Sequence, residues 1–395
     1  MNPRVEAVGG TTSLAERKRY AGQRVMIGFG GPAVDDDLRR LVRELKPCGF
    51  VLFARNIVEP GQVRDLLREL GSLVEKAHPA LFAVDQEGGR VQRLKAPATL
   101  WPPMRAVGRV ADRKKDGAAT LTAEVARAVA TELRAVGFNL DFAPVADVDS
   151  NPKNPIIGDR AFAADAEDVA WHVAAFVKAM QDEGVVACAK HFPGHGDTSV
   201  DSHLDLPVVE KDLPELQHTE LVPFRAAVEA GVGSVMSAHV VFPAWDEQYP
   251  ATLSPRILPG LLRAPPAAPK PGRRNQPREG GLGFDGVVFS DDLEMKAVAG
   301  RWSIDDQVRL ATGATIDVML CCKEPGLQAA MFESLVRAQE LDPNVFQASR
   351  TSAKRVQALR ERFFLTPRAP VSLDVLGCSA HQALAERLRE RSGIA

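Results

Sequence analysis

Residues 185–191 read VVACAKH, five small or β-branched apolar residues followed directly by a lysine and a histidine. A run of this kind is typical of a strand that is buried on both faces, as in a parallel sheet. Seven further apolar runs alternate with amphipathic segments such as 35–46, 165–182 and 214–230, whose apolar residues recur at helical spacing. These runs lie at 25–29, 50–53, 81–85, 140–145, 234–239, 287–291 and 316–321.

The alternation of strands and helices predicts the fold class. Repeated βα units give a parallel sheet, and eight of them indicate a closed (β/α)8 barrel of the TIM type. An open α/β sheet is the alternative, because no internal sequence repeat fixes the number of units. The region from residue 341 onward reads as helices with polar faces, which we expect to pack outside the barrel. We interpret residues 1–395 as a single catalytic domain.

One stretch interrupts this pattern, at residues 264–281, and reads APPAAPKPGRRNQPREGG. It is rich in proline, glycine and arginine, and it has too little apolar surface to order itself. Its arginines could bind an anion. A flexible, solvated surface insertion between the sixth and seventh strands is the simpler interpretation.

Composition argues against several classes of protein. The chain has 395 residues, of which 45% are hydrophobic and 25% charged, so it can bury a large core. A formal net charge of −2 provides no basic field, and we therefore predict neither nucleic acid nor a membrane surface as a partner. Five cysteines without CxxC spacing suit a reducing compartment. The first twenty residues lack the apolar core of a signal peptide, and no later run could span a membrane, so we expect a cytoplasmic protein.

Reactive side chains stand where the apolar runs end. Asp85 closes the third run, Asp147 follows the fourth, Lys190 and His191 end the fifth, and Asp291 ends the seventh. The carboxyl ends of all strands meet at one mouth of a parallel barrel. Charged groups beside buried runs are costly unless they are paired or used. The sequence therefore predicts a polar substrate pocket at this mouth.

The densest group of such residues is KHFPGHGDTSVDSHLDLP, at 190–207. Side chains two residues apart in an extended backbone project to the same side, so Asp201 could hold one ring nitrogen of His203 and set its tautomer. His203 would then act as a tuned proton shuttle. A lone surface-loop histidine is the alternative interpretation, which the density of the surrounding motif disfavours.

A metal site is the rival interpretation of the same region. His191 and His195 lie four residues apart, as metal ligands do on a helix, but Pro193 and Gly194 between them prevent that helix. We therefore predict no metal and no cofactor. A metal-dependent barrel hydrolase using His191, His195 and His239 stays as the alternative of another class.

The segment VVFSDDLEM, at 287–295, delivers a carboxylate from a strand end into the same mouth. An aspartate kept ionised by nearby cations can attack an anomeric carbon while the leaving oxygen gains a proton. Aspartate is also a favoured N-cap. We expect one of Asp291 and Asp292 to cap the following helix and the other to be free for chemistry.

Seven motifs follow one another between residues 20 and 340: GFVLFARN, VDQEGGRVQR, DFAPVADV, NPIIGDRAF, KHFPGHGDTSVDSHLDLP, MSAHVVFPA and FSDDLEM. An ordered set of this kind is far more specific than any single motif. The set resembles glycoside hydrolase family 3, and within it the bacterial β-N-acetylglucosaminidases that act in peptidoglycan recycling.

The resemblance implies a retaining exo-β-N-acetylglucosaminidase whose substrate is a muropeptide containing N-acetylglucosamine, and it implies no cofactor. It assigns the nucleophile to Asp291, the acid/base to His203 and assistance of that histidine to Asp201. It further implies that the terminal sugar is bound by Asp85, Arg93, Arg160, Lys190 and His191. We expect the enzyme to be a monomer.

Three other functions are compatible with the same motifs. The enzyme could be a β-glucosidase of this family, or it could transfer the sugar to phosphate, since a neutral imidazole repels an anion less than a carboxylate does. A catalytically inactive sugar-binding protein is the third alternative. The presence of Asp201, His203 and Asp291 disfavours it, because a binder needs no nucleophile opposite a proton shuttle.

Overall fold

The structure, a computed structural model, describes residues 12–111, 118–199, 205–267, 280–366 and 368–394. Its strands, in chain order, are β1 (Val25–Ile27), β2 (Gly49–Leu52), β3 (Leu81–Val84), β4 (Gln86–Gly88), β5 (Val91–Gln92), β6 (Leu140–Asp141), β7 (Val186–Phe192), β8 (Ser234–Ser237), β9 (Val287–Asp292) and β10 (Val318–Cys321).

The helices surround these strands. In chain order they are α1 (Leu14–Gly22), α2 (Asp36–Leu45), α3 (Pro60–Leu73), α4 (Met104–Val110), α5 (Ala118–Val136), α6 (Ala166–Asp182), α7 (Leu213–His218), α8 (Leu221–Glu229), α9 (Lys296–Ala299), α10 (Ile304–Gly313), α11 (Pro325–Leu341), α12 (Pro343–Phe363) and α13 (Ser379–Ser392).

Eight strands form a closed barrel in the order β1-β10-β9-β8-β7-β6-β3-β2. Every neighbouring pair in it is parallel. The predicted (β/α)8 barrel is therefore confirmed, and the open sheet is excluded because β1 pairs with β10. Each barrel strand overlaps one of the eight apolar runs predicted from the sequence.

The fourth barrel strand is shorter than predicted, because β6 ends at Asp141 whereas the apolar run continues to residue 145. Pro144 lies in the missing part, and proline has no N–H to donate to a ladder. The segment nevertheless stays beside β7, since Val145 forms an isolated parallel bridge with Lys190.

Two helical predictions need correction. The segment predicted as one helix at 214–230 is divided into α7, which ends at His218, and α8, which begins at Leu221. The region after residue 341 does not only pack outside the barrel. Helix α12 buries Val356, Leu359 and Phe363 in the core. Its Arg360 donates to the carbonyls of Pro79 and Cys48 and to Gln23, which closes the amino-terminal end of the barrel.

An antiparallel hairpin, β4 and β5, follows β3 directly and was not predicted. Gly88 and Gly89 at its turn have positive φ values of 97° and 55°, which glycine adopts without strain. The Gly-Gly pair in VDQEGGRVQR was the available signal. This hairpin brings the residues after β3 back over the mouth of the barrel.

The insertion predicted at 264–281 is only partly described. Pro266 and Gly280 form an antiparallel bridge at its base, and residues 268–279 lie outside the described part of the chain. Among the described residues, no helix combines the length and apolar character that crossing a bilayer requires.

Candidate active site

The carboxyl ends of the barrel strands surround a cavity of about 230 Å³. Pockets for drug-sized ligands have roughly 300–1,000 Å³, so this cavity suits one sugar ring better than a longer saccharide. Asp201 and His203 lie outside the residues that the structure describes. The other six predicted site residues all line the cavity: Asp85, Arg93, Arg160, Lys190, His191 and Asp291.

Asp85 stands between β3 and β4, and two cations hold its carboxylate. Lys190 Nζ lies 2.7 Å from Asp85 Oδ1, and Arg93 Nη2 lies 3.3 Å from Oδ2. The side chains of Asp85 and Arg93 keep 16% and 27% of their surface exposed, so both can reach a ligand. Charged groups form stronger hydrogen bonds with hydroxyls than neutral groups do. The pair therefore suits a ligand rich in hydroxyl groups.

Glu87 in β4 also lines the cavity, although no pattern in the sequence singled it out. Its side chain is 2% exposed, and it forms a bidentate pair with Arg160, with Nε to Oε2 and Nη2 to Oε1 both at 2.8 Å. Lys190 Nζ is 2.6 Å from Glu87 Oε1. Burial would raise the pKa of Glu87, but Arg160 and Lys190 lower it well below its usual range. Glu87 is therefore ionised and neutralises two cations of the cavity wall.

Lys190 stays charged although it is buried in the barrel. Burial would lower the pKa of its ammonium group, but the carboxylates of Asp85 and Glu87 raise it above its ordinary value. An ammonium flanked by two carboxylates is a stable cation here. It can therefore donate a hydrogen bond to a hydroxyl group in the cavity.

His191 is oriented by a carboxylate from the loop that follows the neighbouring strand β6. Asp147, fully buried, accepts a hydrogen bond from His191 Nδ1 at 2.7 Å and one from the backbone N–H of His195 at 2.7 Å. A carboxylate acceptor at Nδ1 directs the other ring nitrogen, Nε2, away from Asp147. Asp147 thus positions His191 in the cavity wall. From the sequence, Asp147 could be recognised only as an acid at a strand end.

Asp291 and Asp292 are adjacent at the end of β9, yet their charge states differ. Burial would raise the pKa of Asp291, but His239, His191, Lys190 and the Asp292 N–H lower it below its ordinary value. Burial and the charges of Glu294 and Asp291 raise the pKa of Asp292 to about 7. Environments that separate two acids in this way assign them different roles. Asp291 is the carboxylate, which is the form that a nucleophile needs.

The expectation that one of these acids caps the following helix is wrong. The N-cap of α9 is Met295, and no side chain caps it. Asp292 instead accepts from the N–H of Glu294 at 3.1 Å and from that of Cys322 at 3.3 Å, so it joins β9 to the end of β10. Asp292 therefore connects two strand ends instead of capping a helix, whereas Asp291 lines the cavity.

Asn154 joins the two loops that flank the cavity. Its Nδ2 donates to the carbonyls of His195 and Gly196 at 2.8 and 2.9 Å, and its Oδ1 accepts from the N–H groups of Ile156 and Ile157 at 2.8 Å each. One buried side chain therefore couples the segment that leads to Arg160 with the segment that follows β7. Asn154 could not be predicted from the sequence, since its role depends on contacts between distant loops.

The three histidines of the rival metal hypothesis have other partners. His191 Nδ1 binds Asp147, and His195 Nδ1 lies 2.8 Å from Thr198 Oγ1. His239 uses both ring nitrogens, with Nδ1 2.9 Å from Thr252 Oγ1 and Nε2 3.0 Å from the Asp292 carbonyl. Within the described parts of the chain, no group of three His, Cys, Asp or Glu side chains could hold a metal ion. The geometry disfavours the metal-dependent alternative.

Comparison with protein-family profiles assigns the barrel sequence to a family. The profile of the "Glycosyl hydrolase family 3 N terminal domain" matches residues 18–359, which include every strand and the whole cavity wall. The chain belongs to glycosyl hydrolase family 3. The recognition from the seven motifs is confirmed, and the chain is a glycoside hydrolase.

Curated family 3 relatives share most of the chain. A protein from Thiobacillus denitrificans named beta-hexosaminidase is 41% identical over 303 residues, which cover 77% of this chain and 79% of the relative. Another of the same name, from Pseudomonas aeruginosa, is 36% identical over 326 residues, which cover 82% and 90% of the two chains.

Solved family 3 structures have the same fold. The β-N-acetylglucosaminidase from Paenibacillus sp. str. FPU-7 superimposes with a TM-score of 0.84 at 38% identity, covering 95% of this chain and 68% of its own. NagZ from Neisseria gonorrhoeae, solved in complex with N-trifluoroacetyl-D-glucosamine, gives a TM-score of 0.69 at 30% identity, covering 94% of this chain and 98% of its own.

Proposed function

We propose that this enzyme is a retaining exo-β-N-acetylglucosaminidase that removes terminal β-linked N-acetylglucosamine. The observation that carries the proposal is the ionised Asp291 on one side of a cavity whose other walls hold Asp85, Arg93, Lys190 and Arg160. A carboxylate facing a hydroxyl-binding wall is the arrangement that attack on an anomeric carbon requires. The relatives named beta-hexosaminidase support the choice of sugar.

The proposed reaction has two steps. Asp291 Oδ attacks the anomeric carbon while His203 protonates the glycosidic oxygen, so the C–O bond breaks and a glycosyl ester of Asp291 forms. The same imidazole, now neutral, removes a proton from water, which attacks the anomeric carbon and releases Asp291. Two displacements at one carbon retain the anomeric configuration. Asp201 orients His203 in this scheme, and both assignments rest on the motif DSH at 201–203.

We further propose that the substrate is a peptidoglycan fragment, N-acetylglucosaminyl-1,6-anhydro-N-acetylmuramyl peptide, and that the enzyme is a monomer in the cytoplasm. The small volume of the cavity supports removal of one terminal sugar rather than cleavage within a chain. Five free cysteines, four of them buried, suit a reducing compartment. Light scattering of the purified enzyme and fractionation of the source cells test the last two points.

The direct test compares 4-nitrophenyl N-acetyl-β-glucosaminide with the β-glucoside for the parent and for Asp291→Ala. We expect the parent to cleave only the first substrate and Asp291→Ala to lose at least about 10⁴-fold in kcat, since no nucleophile remains. Equal turnover of both substrates would contradict the sugar assignment. An active Asp291→Ala variant would contradict the mechanism.

Two further arms of this assay decide between the alternatives. Product analysis with and without inorganic phosphate separates hydrolysis from phosphorolysis, because phosphorolysis yields N-acetylglucosamine 1-phosphate. Incubation with a chelator addresses the metal-dependent alternative. We expect free N-acetylglucosamine in both phosphate conditions and undiminished activity after chelation.

A further inference from the structure

A single buried carboxylate, that of Glu87, joins two cations of the cavity wall. Glu87 Oε1 contacts Lys190 Nζ at 2.6 Å and Arg160 Nη2 at 2.8 Å, and Oε2 contacts Arg160 Nε at 2.8 Å. Both oxygens are therefore occupied, and only 2% of the side chain is exposed. Its contacts with the two cations therefore leave Glu87 almost no surface with which to bind a ligand itself.

The contacts of Lys190 leave one donor for a ligand. An ammonium group has three N–H bonds. One is directed at Asp85 Oδ1 and one at Glu87 Oε1, 2.7 and 2.6 Å away. Because two of its directions are fixed by carboxylates two residues apart in the same extended segment, the third direction is fixed as well. The lysine lines the cavity, so this third N–H is available to a hydroxyl there.

The contacts of Arg160 likewise define which edge of its guanidinium is available. Arginine has five N–H donors in a rigid plane. Glu87 takes the edge formed by Nε and Nη2, and Nη1 donates to the carbonyl of Ile156 at 3.2 Å. Two donors remain, one on Nη1 and one on Nη2. Glu87 thereby determines the rotation of the whole group.

We propose that Glu87 is a positioning residue that presents the remaining donors of Lys190 and Arg160 to the hydroxyl groups of the terminal sugar. It acts through these two cations and does not touch the sugar. This inference rests on the proposed function, because it requires a hydroxyl-bearing sugar in the cavity. According to this inference, Glu87 helps the enzyme to discriminate between sugars with different hydroxyl groups, although other residues bind the sugar.

The test is a cycle of enzyme variants and substrate analogues. The enzymes are the parent and Glu87→Gln, and the substrates are 4-nitrophenyl N-acetyl-β-glucosaminide and its 3-, 4- and 6-deoxy analogues. Glutamine keeps the size of the side chain but replaces one charged acceptor by a donor that faces cations. We expect kcat/KM for the complete sugar to fall about 10- to 100-fold, the loss typical of a displaced charge-assisted hydrogen bond.

The decisive readout is the penalty for each missing hydroxyl. In the parent, removal of a hydroxyl that Lys190 or Arg160 binds should lower kcat/KM strongly. In Glu87→Gln, the penalty at that same position should shrink towards one-fold, because the contact is already lost. Glu87→Asp, which keeps the charge but is too short for both bidentate contacts, should fall between the two.

A matched control is Glu132→Gln, because Glu132 also has a side chain that is 2% exposed but does not line the cavity. Its deoxy penalties should equal those of the parent. Thermal melting shows whether each variant is folded, and calorimetric binding of N-acetylglucosamine gives a readout without turnover. We expect weaker binding for Glu87→Gln and parent-like binding for Glu132→Gln.

The remaining outcomes would contradict either the positioning role of Glu87 or the proposed function. Deoxy penalties in folded Glu87→Gln that equal the parent's, at every position, overturn the positioning role while the proposed function stands. A parent that hydrolyses no N-acetylglucosaminide overturns the proposed function and this inference together. A Glu87→Gln variant that does not fold moves the decision to Glu87→Asp, where unchanged penalties would overturn the role.

Discussion

Single carboxyl groups inside the barrel differ in charge according to their partners. Asp291 and Glu87 face cations, and their pKa values are lowered. Asp141, at the end of β6, is fully buried and has one contact at 2.9 Å, from the N–H of Gln86 to Oδ1. Burial raises the pKa of Asp141 to about 8. At neutral pH this residue is therefore a neutral acid beside the charged network.

The pKa of Asp141 predicts how stability changes with pH. Aspartate in an unfolded chain has a pKa of about 3.9. Between about pH 4 and pH 8 the folded protein keeps a proton that the unfolded chain has lost, so the free energy of unfolding falls as pH rises. The slope from this residue is at most about 1.4 kcal/mol per pH unit. We expect Asp141→Asn, which still accepts from Gln86, to remove this contribution.

Urea unfolding of parent and variant at several values between pH 5 and 8 measures the difference in slope. Asp205→Asn is the control, because Asp205 is exposed and its hydrogen bond from Arg301 lowers its pKa. Above pH 5 Asp205 is ionised in both states, and its variant should keep the parent slope. An identical slope in Asp141→Asn would mean that Asp141 is ionised in the folded protein.

At the scale of elements, the contacts that hold the last helix include a polar cluster around Glu132 of α5. Glu132 accepts from the Thr99 N–H and hydroxyl at 3.0 and 2.6 Å, from the Gly377 N–H at 3.0 Å, and from His381 Nδ1 at 2.8 Å. Helix α13 also buries Leu384, Ala385 and Leu388. The polar cluster and this apolar stripe together hold α13 in place.

Replacing Glu132 by alanine should weaken this attachment. Several buried donors would lose their acceptor, and we expect the free energy of unfolding to fall by about 2–4 kcal/mol. Hydrogen exchange should increase most within α13 and around Thr99, while kcat/KM per folded molecule stays unchanged. Glu390→Ala, an exposed change in the same helix, should alter neither quantity. Uniform loss of protection across the barrel would contradict a local role.

At the scale of the whole molecule, we propose that the chain is one catalytic domain. The barrel, its helices and the C-terminal helices share continuous apolar packing in the described residues, and α12 closes the barrel with Arg360. The insertion enters and leaves this body at adjacent points, since Pro266 pairs with Gly280. It joins the barrel before β9, at the end opposite the cavity.

Removal of residues 268–279 tests this organisation. With Ala267 joined to Gly280 through two glycines, we expect parent kcat/KM and a free energy of unfolding within about 1 kcal/mol of the parent. Shortening a loop changes its closure entropy only slightly. Calorimetry of both proteins should show a single transition. A loss of activity on deletion would mean that the insertion contributes to the function.

The sequence predicted the elements whose signals are local. Eight apolar runs gave eight barrel strands, because a strand buried on both faces needs continuous apolar residues, whatever its neighbours are. Asp85, Lys190, His191 and Asp291 could be selected for the same reason, since each stands at the end of such a run. Arg93 and Arg160, which also line the cavity, were indicated only by the family resemblance. Asp291 could be preferred over Asp292 only through the family resemblance.

Contacts between distant segments were decided by the tertiary structure alone. Glu87, Asp147 and Asn154 take their roles from partners on other strands and loops, and no spacing along the chain reveals those partners. The same holds for the different charge states of Asp291, Asp292 and Asp141, which depend on burial and on neighbouring charges. Local patterns determine which residues can be buried, whereas the closed barrel determines which of them meet.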